Sequence, residues 1–105
     1  MKFDSRLTTA AAFLLASAAA AASEHVVVQK EKTFSHSTLA VHSGDTIVFK
    51  NEDPVVHNIF SKSEVMTFND MQDPGEETRV TVDDAGTFVV RCAIHPKMKL
   101  TVHVE

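Results

Sequence analysis

Ser43-Gly44-Asp45-Thr46-Ile47-Val48-Phe49-Lys50 is the stretch that sets the fold class. Gly44 supplies a positive φ and Asp45 a carboxylate able to bond its own backbone, so the first residues predict a turn. Ile47 and Phe49 then fall on one face of an alternating run, the period of a half-buried strand. Asn51 to Pro54 ends it. The same grammar recurs on both sides. Val26-Val27-Val28 runs into polar Gln29 to Thr33, Leu39 and Val41 alternate, and Val55 to Phe60 is a short apolar segment. Arg79 to Val82 alternates, Asp83-Asp84-Ala85-Gly86 predicts a turn, and Thr87 to Arg91 and Leu100 to Glu105 predict two further strands. Ser61 to Glu77, with Pro74 and Gly75, is expected to be a long loop. No repeat and no helix of useful length is evident. The pattern predicts an all-β domain, a two-sheet Greek-key β-sandwich of about six to eight strands, with both sheets antiparallel.

The first 22 residues read differently. They hold 9 of the chain's 12 alanines, which makes whole-chain totals misleading. Lys2 and Arg6, an apolar run from Leu7 to Ala22 and small residues before Ser23 have the layout of a cleaved secretory signal peptide. A retained N-terminal membrane helix is the alternative, although the run is short for a span. Residues 23–105 then form one domain of 83 residues, with 8 Lys and Arg against 13 Asp and Glu, hence net −5. Of its 31 hydrophobic residues 14 are Val, which lose side-chain freedom in helices and pack well on pleated sheets. That acidity argues against nucleic acid as a ligand, and no membrane anchor is expected after signal cleavage. The product is expected to be soluble and periplasmic.

The chain has a single cysteine, Cys92, so an internal disulfide is excluded and an exported thiol needs another explanation. It opens Cys92-Ala93-Ile94-His95-Pro96-Lys97-Met98, where thiol, imidazole and thioether recur every third residue in a link between two strands. His57 lies far earlier, on a segment that a sandwich can fold beside that loop. Two His, one Cys and one Met make a soft donor set without oxygen, which suits copper rather than zinc, and coordination would occupy and protect the thiol. Cys92 with His95 as nucleophile and base is a weaker reading, since no Asn or Asp is evident to orient the histidine.

Gly44-Asp45-Thr46-Ile47-Val48-Phe49, Val56-His57-Asn58 and Cys92-x-x-His95-x-x-Met98 together resemble the cupredoxins, the type 1 blue copper proteins, over nearly the whole of residues 23–105. The two-residue gaps on both sides of His95, and Pro96 after it, are similar to the amicyanin branch, with plastocyanin-like proteins spacing the Met differently. The resemblance implies one type 1 copper ion with His57, Cys92 and His95 as equatorial ligands, Met98 as the weak axial one, and Asn58 and Pro96 in the surrounding shell. It implies no enzyme but a monomeric one-electron carrier, docking around His95 and Pro96 on larger redox proteins: a dehydrogenase, a cytochrome c or a reductase. Two departures stand out. Ala93 occupies the position of a Ser or Thr whose hydroxyl commonly bonds the Asn at 58, and Ile94 replaces a Pro. Asn58 is left its backbone N–H, which is expected to donate to the Cys92 sulfur.

The same donors, with Met66 and Met71, also allow copper buffering, delivery or tolerance as the function. Met66, Met71 and the intervening Phe68 are expected to cover the core. His25, His36, His42 and His103 are expected at the surface, and Lys97 and Lys99 place positive charge near His95.

Overall fold

The structure is a computed structural model that describes residues 21–105. The proposed signal segment therefore lies outside the described residues, apart from Ala21 and Ala22. Nine strands build the fold: β1 Glu24–Lys30, β2 Thr33–Phe34, β3 Thr38–Val41, β4 Thr46–Asn51, β5 His57–Lys62, β6 Thr67–Gln72, β7 Glu77–Thr81, β8 Gly86–Cys92 and β9 Lys99–Val104. They form two sheets, ordered β2-β1-β4-β7 and β3-β9-β8-β5-β6. Alternation places Ile47, Phe49, Ile59, Phe88, Val90, Leu100 and Val102 between the sheets, all of them buried. Phe49 meets Phe34 edge-on, with ring centroids 6.1 Å apart, and Phe68 at a tilt, with centroids 6.2 Å apart.

Several expectations are corrected. Both sheets are mixed, because β1 pairs parallel with β4 and β3 parallel with β9. Between β1 and β4 the chain passes through β3 in the opposite layer, and a return by that route brings the next strand in along the same direction. Ser61 to Glu77 is not one long loop, since β6 lies inside it and pairs antiparallel with β5 from His57↔Gln72 to Lys62↔Thr67. Met66 and Phe68 do pack on the core, whereas Met71 is 62% exposed.

Turn chemistry ties the layers together. Gly44 has φ 94°, as its turn requires. The neighbouring Asp45 accepts hydrogen bonds from the backbone N–H of Ser23 at 2.9 Å and of His42 at 2.9 Å, and its Oδ2 lies 2.8 Å from His25 Nε2. His25 is accordingly half-buried rather than a free surface residue; His36, His42 and His103 are exposed. The Ser23 and His42 amides, then the His25 ring, hold the Asp45 carboxyl far below the ordinary Asp range. A carboxyl whose folded pKa is depressed stabilises the fold above the unfolded value of about 3.9 and loses that contribution as pH falls towards the folded value. Asp45→Asn is therefore expected to lower the urea midpoint at pH 7 and to flatten its decline below about pH 4. Parallel pH profiles for the two proteins would show that Asp45 carries none of the acid sensitivity.

Candidate metal centre

β5 and β8 lie side by side through Ile59↔Cys92 and Phe60↔Arg91. Because Ile59 and Cys92 both face inward, His57, two residues earlier on β5, projects into the same end of the sandwich. His95 follows in the loop between β8 and β9. His57 Nδ1 and His95 Nδ1 are 3.1 Å apart, and each is 3.7 Å from Cys92 Sγ. A triangle with sides of 3.1, 3.7 and 3.7 Å has a circumradius of about 2.0 Å, near the usual 2.0–2.3 Å reach of nitrogen and thiolate to a transition metal. The three atoms thus converge on a point one metal bond from each. Met98 is buried in the same loop, and its backbone N–H donates to the His95 carbonyl at 3.0 Å. His57 and Cys92 are buried while His95 is half-buried, so the cluster meets solvent at one imidazole.

Asp53 decides which His57 nitrogen is free. Its Oδ2 lies 2.6 Å from His57 Nε2, an acceptor that requires the proton on that nitrogen and leaves the Nδ1 lone pair aimed at Cys92 and His95. The same carboxylate accepts the backbone N–H of Glu31 at 2.5 Å and of Lys32 at 2.9 Å. Those two residues form the β1–β2 turn with φ 53° and 57°, a left-handed conformation that non-glycine residues adopt at a cost. Burial raises the Asp53 pKa, but the Lys32 amide, the His57 ring and the Glu31 amide together outweigh it and hold the carboxyl below its ordinary value. Asn51 Oδ1 accepts the Asp53 N–H at 2.9 Å, and Asn51 Nδ2 donates to the carbonyls of Val55 and Gln72, which fixes the approach to His57. On the other imidazole, burial first and His57 second push the His95 pKa down, keeping its ring neutral and able to ligate.

The Asn58 N–H donates to Cys92 Sγ at 3.4 Å, as the sequence implied. The hydroxyl that Ala93 cannot supply is replaced from another strand: Asn58 Nδ2 donates to Asn69 Oδ1 on β6 at 2.7 Å. The Ala93 N–H donates to the Asn58 carbonyl at 3.1 Å, so backbone contacts join the two donor segments directly. All four sequence-predicted donor residues therefore lie at this end of the sandwich, with Asn58 beside Cys92 and Pro96 exposed next to His95. Asp53 was missed as a functional residue. Its signal was a carboxylate four residues before a candidate ligand, hidden in a stretch whose Pro54 reads as a strand terminator.

Two imidazoles, one thiol and a buried thioether suit a soft or borderline ion. The Asp53 oxygens are engaged on the far side of the His57 ring, so carboxylate does not enter the donor group, and the set fits copper better than a hard cation. Comparison with known proteins agrees. Residues 6–104 match the Cupredoxin-like domain, and the chain belongs to that family. Plastocyanin from Lactuca sativa is 36% identical over 59% of this chain and 75% of its own. A Cu(I) structure of an amicyanin methionine-to-alanine variant superposes with TM-score 0.72 and 26% identity, covering 77% of this chain and 81% of that one. The purple cupredoxin of Nitrosopumilus maritimus shares the fold at TM-score 0.69 and 21% identity, covering 77% and 99%.

If Asp53 sets the tautomer, nitrogen-detected NMR of the metal-free protein at neutral pH will place the His57 proton on Nε2. Asp53→Asn will then weaken metal affinity by about 10–100-fold in chelator competition. A proton on Nδ1, or unchanged affinity, would contradict the assignment.

Proposed function

We propose that this chain is a one-electron carrier that holds a single type 1 copper ion through His57, Cys92, His95 and Met98. Copper, when bound, supplies a reversible one-electron couple. The observation that carries the reading is the trigonal placement of three soft donors about a point roughly 2.0 Å from each. What the chain's own residues contribute is constancy. Asp53 clamps the His57 ring, Asn58 donates to the Cys92 sulfur, and the Met98–His95 backbone bond closes the loop. Side chains held this way have little freedom to rearrange when the charge at their centre changes, which keeps reorganisation small. The Asn58 N–H also stabilises negative charge on the sulfur.

His95 is the port. Its half-exposed ring is flanked by exposed Pro96 and by Ile94, which is 49% exposed, beside a depression of about 560 Å³ lined also by Phe34 and Lys97. An apolar patch of this kind suits brief contact with a larger redox protein, a dehydrogenase, a cytochrome c or a reductase, and the carrier works as a monomer without catalysing a reaction itself. Copper buffering through Met66 and Met71 finds less support. Met66 is packed on the core, and exposed Met71 lies five positions further along an extended segment, roughly 16 Å away, too far to share an ion.

Adding one equivalent of Cu(II) is expected to produce an intense thiolate-to-copper visible band, saturating at one copper per chain and absent in Cys92→Ser. A colourless product, or equal colour in the variant, would remove Cys92 from the centre.

Export and processing belong to the same proposal. Residues 1–22 direct the chain to the periplasm and are removed, leaving Ser23, whose nitrogen Asp45 already holds, at the N-terminus. Intact mass of the protein recovered from its native compartment should correspond to residues 23–105; retention of the N-terminal segment would contradict cleavage.

A further inference from the structure

Charge is distributed unequally between the two sheets. On the four-stranded sheet, Arg79 pairs with Glu24 and Lys50 with Glu77. On the five-stranded sheet, the neighbouring strands β3, β9, β8 and β5 contain no Asp or Glu at all, in a chain with 14 of them. The outward positions of β5, β8 and β9 follow from alternation with the buried core. They are Phe60 and Lys62 on β5, Thr87, Val89 and Arg91 on β8, and Lys99, Thr101 and His103 on β9. The hydrogen-bond-range contact of Thr87 Oγ1 with His103 Nδ1, 3.1 Å, confirms that this row shares one face.

Among the described residues Lys62, Arg91 and Lys99 make no ion pair, unlike the cations Lys50 and Arg79 of the other sheet. Arg91 and Lys99 stand directly opposite each other across β8 and β9. Like charges in that relation destabilise a sheet, so the pair has no local structural benefit. Between the cations the floor is apolar: Phe60 pairs with Arg91 across β5 and β8, and Phe60 with Val89 forms a shallow groove of about 380 Å³ rimmed by Lys62, Thr87 and Arg91. Half-buried Phe and Val ringed by unpaired cations match a protein surface that brings carboxylates around a small apolar contact.

We propose that the outer face of β5, β8 and β9 is a second docking surface, distinct from the His95 patch, and that its occupant is an acidic face of a partner protein. Lys62, Arg91 and Lys99 steer and orient that partner while Phe60 and Val89 provide the contact floor. The His95 loop lies at the end of these strands rather than on their face, so a partner docked on the sheet leaves the port uncovered. The surface stands independently of the copper assignment, which is tested by the visible band.

The test is a titration of the isotope-labelled Cu(I)-loaded chain with a polyglutamate peptide, followed by amide NMR. Shifts are expected to concentrate at Phe60, Lys62, Val89, Arg91 and Thr101 and to collapse as salt rises to about 0.2 M. The combined change Lys62→Gln, Arg91→Gln and Lys99→Gln is expected to weaken binding by about tenfold or more, with the visible band of its Cu(II) form showing that the centre is intact. Lys32→Gln with Lys97→Gln, which removes charge beside His95, should change affinity less than about twofold. Shifts centred on Ile94 to Lys97, absence of binding, or binding to phosphatidylserine vesicles but not to polyglutamate would each overturn the proposal.

Discussion

Alignment of β5 with β8 is the constraint from which everything at the site follows. Only two residue pairs record it, Ile59↔Cys92 and Phe60↔Arg91. They bring a thiol near the end of the chain within reach of an imidazole 35 positions earlier, and they do so by burying Ile59 and Cys92 together. Register is strongly specified where one face is buried, since a slip of one residue would turn Cys92 to solvent and Arg91 into the core. The hydrophobic core thus fixes donor geometry as a consequence of fixing register. The soft donors need no special fold beyond a sandwich whose strands end in the right order.

Asp53 adds a second layer of control. One carboxylate satisfies the amides of a left-handed two-residue turn and accepts a hydrogen bond from the His57 ring, so the β1–β2 turn and the buried ligand candidate are oriented by the same group. A buried carboxylate without such donors would be costly; here three donors compensate it. The result is a site whose buried half is rigid and whose solvent-facing half is a single histidine, an asymmetry suited to moving an electron through one defined edge. Charge asymmetry between the two sheets carries over to the surface, since Lys50 and Arg79 of the four-stranded sheet are paired with carboxylates while Lys62, Arg91 and Lys99 of the other are not.

Much of this was legible in the sequence. Strands whose inward residues are Ile, Val, Phe or Leu announce themselves by alternation, and Cys92, His95 and Met98 stand out because three soft donors rarely share seven residues. What escaped has identifiable causes. β6 presents Phe68, Asp70 and Gln72 on one side and Thr67, Asn69 and Met71 on the other, so an edge strand with polar inward positions erased the alternation. The parallel pairings depend on which layer the chain visits between strands, which residue pattern does not encode. Asn69 as the partner of Asn58 was hidden for the same reason as β6 itself. Asp53 was disguised by Pro54, because a carboxylate beside a proline resembles ordinary turn chemistry.

X-ray absorption at the copper edge of the one-equivalent Cu(II) protein tests the central claim most directly. The geometry requires one short sulfur neighbour and two nitrogen neighbours of imidazole type, with the sulfur lost on Cys92→Ser. A first shell of oxygen and nitrogen alone, or one unchanged by that substitution, would mean that the three converging donors do not form the centre.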